Sequence, residues 1–314
     1  MALGKLRAGA EGYRLRGKLS RKLANPANEA AAAFIEETAI LDTTFITQTP
    51  DRLRRDRPFT RAEWDGRLVA RASRVAEPFI CEAVDAVIPA RGPARLFEVG
   101  CGATAYLRHA AARNPELTAL GLELQGDVAA LAAETIARWN LTTRVVIEVG
   151  DVRERNPEPV FDVATVHQNI YYFPVEKRVE VLRHVRSSLK PGGRLLLTTW
   201  CRGRGAGASL LNLWSTMSEG GGRLPTPSEM TRQLAEAGLS GVARWSLIPG
   251  RELPRVSWER LPAERSGSRD FSSPVVVLDS GDSVSRAATR ATQFQGRPAP
   301  LPVGFCWRAG DGPR

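Results

Sequence analysis

The chain has 314 residues, 43% of them hydrophobic and 25% charged, with 28 glycines and 21 prolines, a balance that excludes collagen-like, coiled-coil and disordered polymers. No run of about 18 apolar residues occurs and the first residues lack the apolar core of a secretory signal, so neither a membrane span nor export is expected, and a cytoplasmic location is. The formal charge is +10, but residues 76–249 carry 19 Lys/Arg against 18 Asp/Glu while residues 1–75 carry 15 against 9, so the basicity sits at the ends and a nucleic-acid partner is not the expected one.

Residues 1–25 hold seven Lys/Arg and one acid, Glu11, and read as a basic, partly helical arm. An alanine-rich helix is expected from Asn28, followed by a loop in "TPDRLRRDRPFT", where proline occurs twice. Thr60 and Glu63 form a capping-box pattern that predicts a helix starting there. Its apolar positions Trp64, Leu68, Ala72 and Val75 recur at helical spacing, and Pro78 should break it before a second piece carrying Phe79, Ala83, Val84 and Val87. "IPARGPAR" then marks a boundary.

From Arg95 the pattern changes to short apolar runs alternating with helices, as in a parallel sheet with crossover helices. Strands are expected near 95–99, 118–123, 144–149, 161–166 and 194–199, and helices near 104–113, 126–139, 175–189 and 227–237. Thr226, Pro227, Glu229 and Gly238 supply start and stop signals for the last of these. "GVARWSLI" follows as a further strand. The resulting division is a helical region at 1–92, a substrate cap or dimer element; a doubly wound α/β domain at 93–250; and an irregular tail at 251–314. In the tail only "PVVVLD" and "PVGFCWRA" could close the sheet, so much of it is expected to be loosely attached and cut first by a protease.

The four cysteines and three histidines show no CxxC, HxxxH or HxxH spacing, so no metal site or disulfide framework is expected. The chemistry-bearing stretch is "RLFEVGCGATAYL". A strand ends at Glu98 and Val99, the chain turns through Gly100 and Gly102, and a helix begins, so that backbone amides face a ligand. The string also satisfies GxGxxA, and Glu123 lies 21 residues after Gly102, as in a dinucleotide fingerprint. On this loop alone two classes of cofactor stay open. Glu98 disfavours a pyrophosphate and suits a cationic amine, and Asp151, after the third strand, could accept from an adenine amine.

Taken in order, "FEVGCGAT", "LGLEL", "VGDV", "FDVATVHQNIYYF" and "LKPGGRLLL" resemble the class I S-adenosylmethionine-dependent methyltransferases over roughly residues 95–248. The resemblance implies a Rossmann-like sheet of seven mainly parallel strands and S-adenosylmethionine as cofactor. It implies a cofactor turn at Glu98, Gly100, Cys101 and Gly102, ribose contacts from Glu123 beside Leu124, and an adenine pocket at Asp151 and Val152. Thr104 departs from the family's third glycine, which implies a slightly altered turn.

"HQNIYYFP" should lie over the transferable methyl, beyond the carboxyl ends of the strands, and it lacks the Asp/Asn-Pro-Pro-Tyr/Phe arrangement of enzymes acting on exocyclic or amide nitrogens. His167 is the expected catalytic group, with an imidazole near neutral pKa taking a hydroxyl proton, or else a cofactor-backbone or packing contact. Tyr171, Tyr172, Trp200, Trp214 in the Gly-rich stretch, and Trp64 are candidates to wall a substrate pocket. The expected function is methyl transfer to a small hydroxylated or aromatic metabolite. The alternatives are an RNA or protein methyltransferase recruited by the basic arm, and an inactive methyltransferase-like binding protein.

Overall fold

A computed structural model describes residues 6–9, 12–203, 206–247 and 275–279. Strands β1 (Leu6–Gly9) and β2 (Gly12–Leu15) pair antiparallel, and helix α1 (Lys18–Leu23) follows. Helix α2 (Glu29–Glu37) passes through a π-helical turn, Thr38–Asp42, into α3 (Thr43–Arg54). The loop expected over residues 49–60 is therefore corrected at 49–54, because α3 carries Pro50 in its interior, and holds at 55–60. The proline removes one donor from a helix that is already propagating. Burial of Phe45 and Thr49 on its inner face holds that turn in place.

The helix expected at Thr60 is also displaced. Glu63 accepts from the Thr60 amide at 2.8 Å and from its hydroxyl at 3.1 Å, while Arg52 forms a 2.5 Å ion pair with the same carboxylate. With its hydroxyl turned to Glu63, Thr60 closes one 3-10 turn, Arg61–Glu63. Helix α4 (Gly66–Ala72) starts instead at Asp65, whose carboxylate accepts from the Leu68 amide at 3.0 Å. Helix α5 (Glu77–Val87) has Pro78 in its first turn, where a missing donor costs nothing.

The rest alternates strand and helix: β3 (Ala94–Val99), α6 (Ala105–Arg113), β4 (Leu117–Glu123), α7 (Gly126–Arg138), β5 (Val145–Val149), β6 (Phe161–His167), α8 (Arg178–Ser187), β7 (Leu189–Thr199), α9 (Ala206–Thr216), α10 (Pro227–Glu236), β8 (Ala243–Ser246) and β9 (Val275–Asp279). The α10 capping box forms as its sequence predicts, with Thr226 and Glu229 bonding reciprocally at 3.2 and 2.8 Å. Strands β3 to β9 make one sheet in the order β5-β4-β3-β6-β7-β9-β8, with every pair parallel. Side chains alternate between its faces. Leu96, Ala119, Val163 and Leu196 face α5, α6 and α7, whereas Phe97, Leu120, Ala164 and Leu195 face α8 and α10.

Strand β9 is the "PVVVLD" candidate and lies between β7 and β8. The "PVGFCWRA" candidate and the expected protease-sensitive segment lie outside the described residues. The chain runs outward from β3 through β4 to β5 and then crosses back to β6 on the other side of β3. That reversal opens a crevice at the carboxyl ends of β3 and β6, where ligands bind in open α/β sheets.

Candidate active site at the strand reversal

Two glycines with left-handed backbone shape the first half of the crevice: Gly100 at φ +66° and Gly102 at φ +50°. The Gly100 and Cys101 amides donate to the Leu122 carbonyl at 2.7 and 3.1 Å, tying the turn to β4. A Cβ on Gly100 would lie 2.3 Å from the Asn169 side-chain nitrogen, which donates to the Val99 carbonyl at 2.7 Å and locks β6 to the turn. A Cβ on Gly102 would meet nothing within 4 Å, so that side of the turn is open for a ligand. Thr104 takes the left-handed conformation of the missing third glycine, φ +62°, while fully buried. The turn therefore keeps its shape at a cost of about 1–2 kcal/mol.

Glu123, at the end of β4, accepts from the Gly102 amide at 3.0 Å and from the Gln125 amide at 3.1 Å. Each carboxylate oxygen keeps a lone pair beyond these bonds. The turn and this carboxylate open into a cavity of about 540 Å³, within the range of small-molecule sites, roughly 300–1,000 Å³. Of the residues singled out in the sequence, Gly100, Cys101, Gly102, Glu123, Leu124, Asp151, Val152 and His167 line it. So do Tyr171, Tyr172, Trp200, Trp214 and Trp64.

Glu98 does not line the cavity, which corrects the expectation of direct contact. It is fully buried on β3 and both its carboxylate oxygens lack a hydrogen-bond partner among the described residues. Burial, and the charge of Glu123 nearby, push its pKa well above the carboxylate range. Asp151 lines the cavity but already binds Arg153, accepting from its backbone amide at 2.9 Å and from its guanidinium. It is anchored rather than waiting.

His167 is 4% exposed. Its Nδ1 meets the Thr198 hydroxyl at 3.0 Å, its ring packs edge-on against Tyr106 with centroids 4.6 Å apart, and its Nε2 has no partner among the described residues. Burial lowers its pKa to about 3. The expected near-neutral imidazole is thus corrected to one that is uncharged throughout the neutral range.

The second half of the cavity is aromatic. Trp214 and Trp64 lie with ring centroids 4.7 Å apart, and Tyr172 lies 5.3 Å from Trp214. Trp214 sits on helix α9, a correction to the expected loop, and one that its apolar neighbours Leu210, Leu211 and Leu213 foreshadow. The Tyr171–Tyr172 turn is fastened from below by Arg178, fully buried, which donates to the carbonyls of Phe173 at 3.1 Å and Arg223 at 2.6 Å. The Gly222 amide adds a bond to the Tyr171 carbonyl at 3.0 Å. Residues 59 and 217–219 bridge the N-terminal helices to the segment after α9, with Phe59 and Met217 bonded at 2.8 Å.

Sequence reasoning missed the wall supplied by the N-terminal helices: Phe34, Glu37, Thr38, Leu41 and Asp42. The available signal was the spacing of Phe34, Thr38 and Leu41 on one helical face, with two acids beside it. Gln168, Asn169 and Tyr106 were also missed. Among the described residues no group of three or more His, Cys, Asp or Glu could hold a metal ion, and no helix is long and apolar enough to cross a membrane.

Comparison with known proteins bears on this geometry. Residues 97–195 match a family described as a methyltransferase domain. A trans-aconitate 2-methyltransferase from Methylobacterium nodulans is 30% identical over 136 residues, 43% of this chain and 48% of that protein. The chain thus spans about half the length of this curated relative. An O-methyltransferase family protein from Burkholderia thailandensis superposes with a TM-score of 0.58 at 21% identity, over 76% of each chain. The structure of PigF with SAH gives 0.64 at 17% identity, over 76% of this chain and 77% of that one. With these two structures the chain shares its fold.

Proposed function

We propose, for a chain that belongs to the class I S-adenosylmethionine-dependent methyltransferases, transfer of a methyl group from that donor to a small hydroxylated or aromatic acceptor. One observation carries the reading. A single cavity joins a glycine turn and its carboxylate, Glu123, to an aromatic compartment, and it is also lined by the buried His167, whose Nε2 has no partner among the described residues.

The residues present fit the donor. The open side of Gly102 leaves room for a ligand against the turn, Glu123 has acceptor capacity for two hydroxyls, and Val152 and Leu124 offer apolar surface to an adenine. Glu98 is buried behind the turn with both oxygens unpartnered among the described residues, and desolvation there favours its uncharged form. When bound, the donor would supply a methyl group carried on a sulfonium sulfur, with S-adenosylhomocysteine as the leaving group. What remains for the protein is alignment, exclusion of water and one proton.

His167 takes that proton. As the acceptor oxygen gains the methyl group it becomes a positively charged, strongly acidic centre, and a base with a pKa near 3 is sufficient to receive its proton. With Nδ1 donating to the Thr198 hydroxyl, the ring is held with Nε2 as its acceptor nitrogen, and its neutral state is secured by burial. The helices of residues 1–92 act as the cap that closes the aromatic compartment. The substrate of the trans-aconitate relative is not carried over, since that similarity covers less than half of either chain.

The test is a transfer assay with methyl-labelled donor against small hydroxylated aromatics, RNA and protein. Release of S-adenosylhomocysteine coupled to label in a small acceptor is expected. Label appearing only in RNA or protein would refute the reading.

A further inference from the structure

The aromatic compartment contains two carboxylates that the transfer itself does not use. Glu37 ends α2 and Asp42 ends the π-helical turn that follows. In an α-helix residues five apart point about 140° away from each other. The wider i→i+5 closure of a π-turn brings them back toward one side, and both line the cavity. Leu41, between them, packs in one cluster with Tyr171 and Trp214, so the pair belongs to the aromatic half rather than to the glycine turn.

Neither carboxylate has an ion-pair partner among the described residues, although two arginines line the same cavity. Arg74 is held by Glu29 and Glu77, and Arg153 by Asp151. Desolvation raises Glu37 to about 8, reinforced by the charge of Asp42, and raises Asp42 to about 6 against a bond from Thr38. A carboxylate pair brought together in apolar surroundings without a cation is costly. A second sign of a ligand stands in the same cavity: Gln168, 7% exposed and not used by the transfer, lines it and has a side-chain nitrogen without a partner among the described residues.

We infer that Glu37 and Asp42 form the specificity site for the acceptor, which carries a basic nitrogen on an apolar or aromatic body. The inference rests on the small-molecule methyltransferase reading above. The pair binds the protonated amine while Trp64, Tyr172 and Trp214 pack on the body. The charge on Asp42 rejects anionic acceptors by like-charge repulsion. The π-turn is thereby assigned a purpose, since a regular helix would separate the two acids.

The experiment titrates S-adenosylhomocysteine into the protein first, and then titrates the resulting complex with tryptamine, its neutral counterpart tryptophol, and indole-3-propionate. Tryptamine is expected to bind at least about tenfold more tightly than tryptophol, and indole-3-propionate most weakly. The double variant Glu37→Gln, Asp42→Asn should erase the amine preference and leave tryptophol within about twofold, with S-adenosylhomocysteine binding unchanged as the check on folding. Equal binding of amine and alcohol, tightest binding of the acid, a preference that survives the double variant, or no binding of tryptamine below about 1 mM would each overturn the assignment. Failure of S-adenosylhomocysteine to bind would instead strike the methyltransferase reading, and the amine comparison on the free protein would still report on the carboxylate pair.

Discussion

The two halves of the cavity are built in opposite ways. The glycine-turn half comes from strand ends within residues 99–153, each ligand-facing group fixed by its neighbours in sequence and by ladder bonds between adjacent parallel strands. The aromatic half is gathered from α2, the π-turn, the segments around Trp64 and Tyr171, and α9, more than 170 positions apart in the chain. The first half has a shape dictated by backbone and so tolerates few changes. The second is a set of side chains held by tertiary bonds, and is where the acceptor is chosen.

His167, which belongs to the boundary between the halves, gives the largest expected effect. His167→Ala should lower turnover about 10²–10⁴-fold while S-adenosylhomocysteine affinity stays the same, measured by initial rates and calorimetry. Because burial holds the imidazole at about 3, it stays unprotonated above that value. The rate should therefore show no acidic limb due to His167 between about pH 5 and 8, and should fall only as pH approaches 3. An equal loss of rate and cofactor affinity would move His167 wholly into the glycine-turn half.

Arg178 sharpens the contrast from the other side. Arg178→Met leaves the Phe173 and Arg223 carbonyls without their buried donor, a loss of about 2–4 kcal/mol read by thermal or urea unfolding. Acceptor KM should rise, because the Tyr171–Tyr172 turn loses its anchor, while cofactor affinity holds. A matching loss of cofactor affinity would show that the halves are one mechanical unit.

The smallest effect is a pH slope. Glu37 has a folded-state pKa of about 8, above its ordinary value of 4.5, so between these values the folded protein binds more protons than the unfolded chain. Its contribution to stability therefore falls as pH rises from about 4.5 to 8. His167 contributes with the opposite sign below its ordinary value of 6.5, so the useful quantity is the difference between Glu37→Gln and wild type. That difference should grow in favour of the variant as pH rises from about 5 to 8 in thermal unfolding, and a difference independent of pH would remove the desolvation argument.

The contrast also explains what could be read from the sequence. The glycine turn, Glu123 and the strands around them were legible because local order in the chain is local order in space. The same holds for α10, where Thr226, Pro227 and Glu229 are adjacent. Trp64, Tyr172 and Trp214 were legible as candidates by residue type alone. Their meeting was not, since it depends on how the N-terminal helices pack against α9 and the Tyr171–Tyr172 turn. Two misreadings have the same origin. Pro50 suggested a loop because a single residue was weighed without the burial of Phe45 and Thr49. The capping box at Thr60 gave way to Asp65 because the Thr60 hydroxyl is turned to the Glu63 carboxylate, which Arg52 of α3 also holds. Glu98 was read from its place in a motif, and only the packing of the sheet shows its carboxyl group enclosed.

The central claim is that the glycine turn and Glu123 hold the adenosyl donor. It is tested most directly by titrating S-adenosylhomocysteine, and separately NAD, into the wild-type protein and into Glu123→Ala. The account predicts micromolar binding of S-adenosylhomocysteine to wild type, none of NAD, and a loss of about 1–3 kcal/mol in the variant. An affinity for S-adenosylhomocysteine that is unchanged by the substitution, or binding of NAD alone, would contradict it.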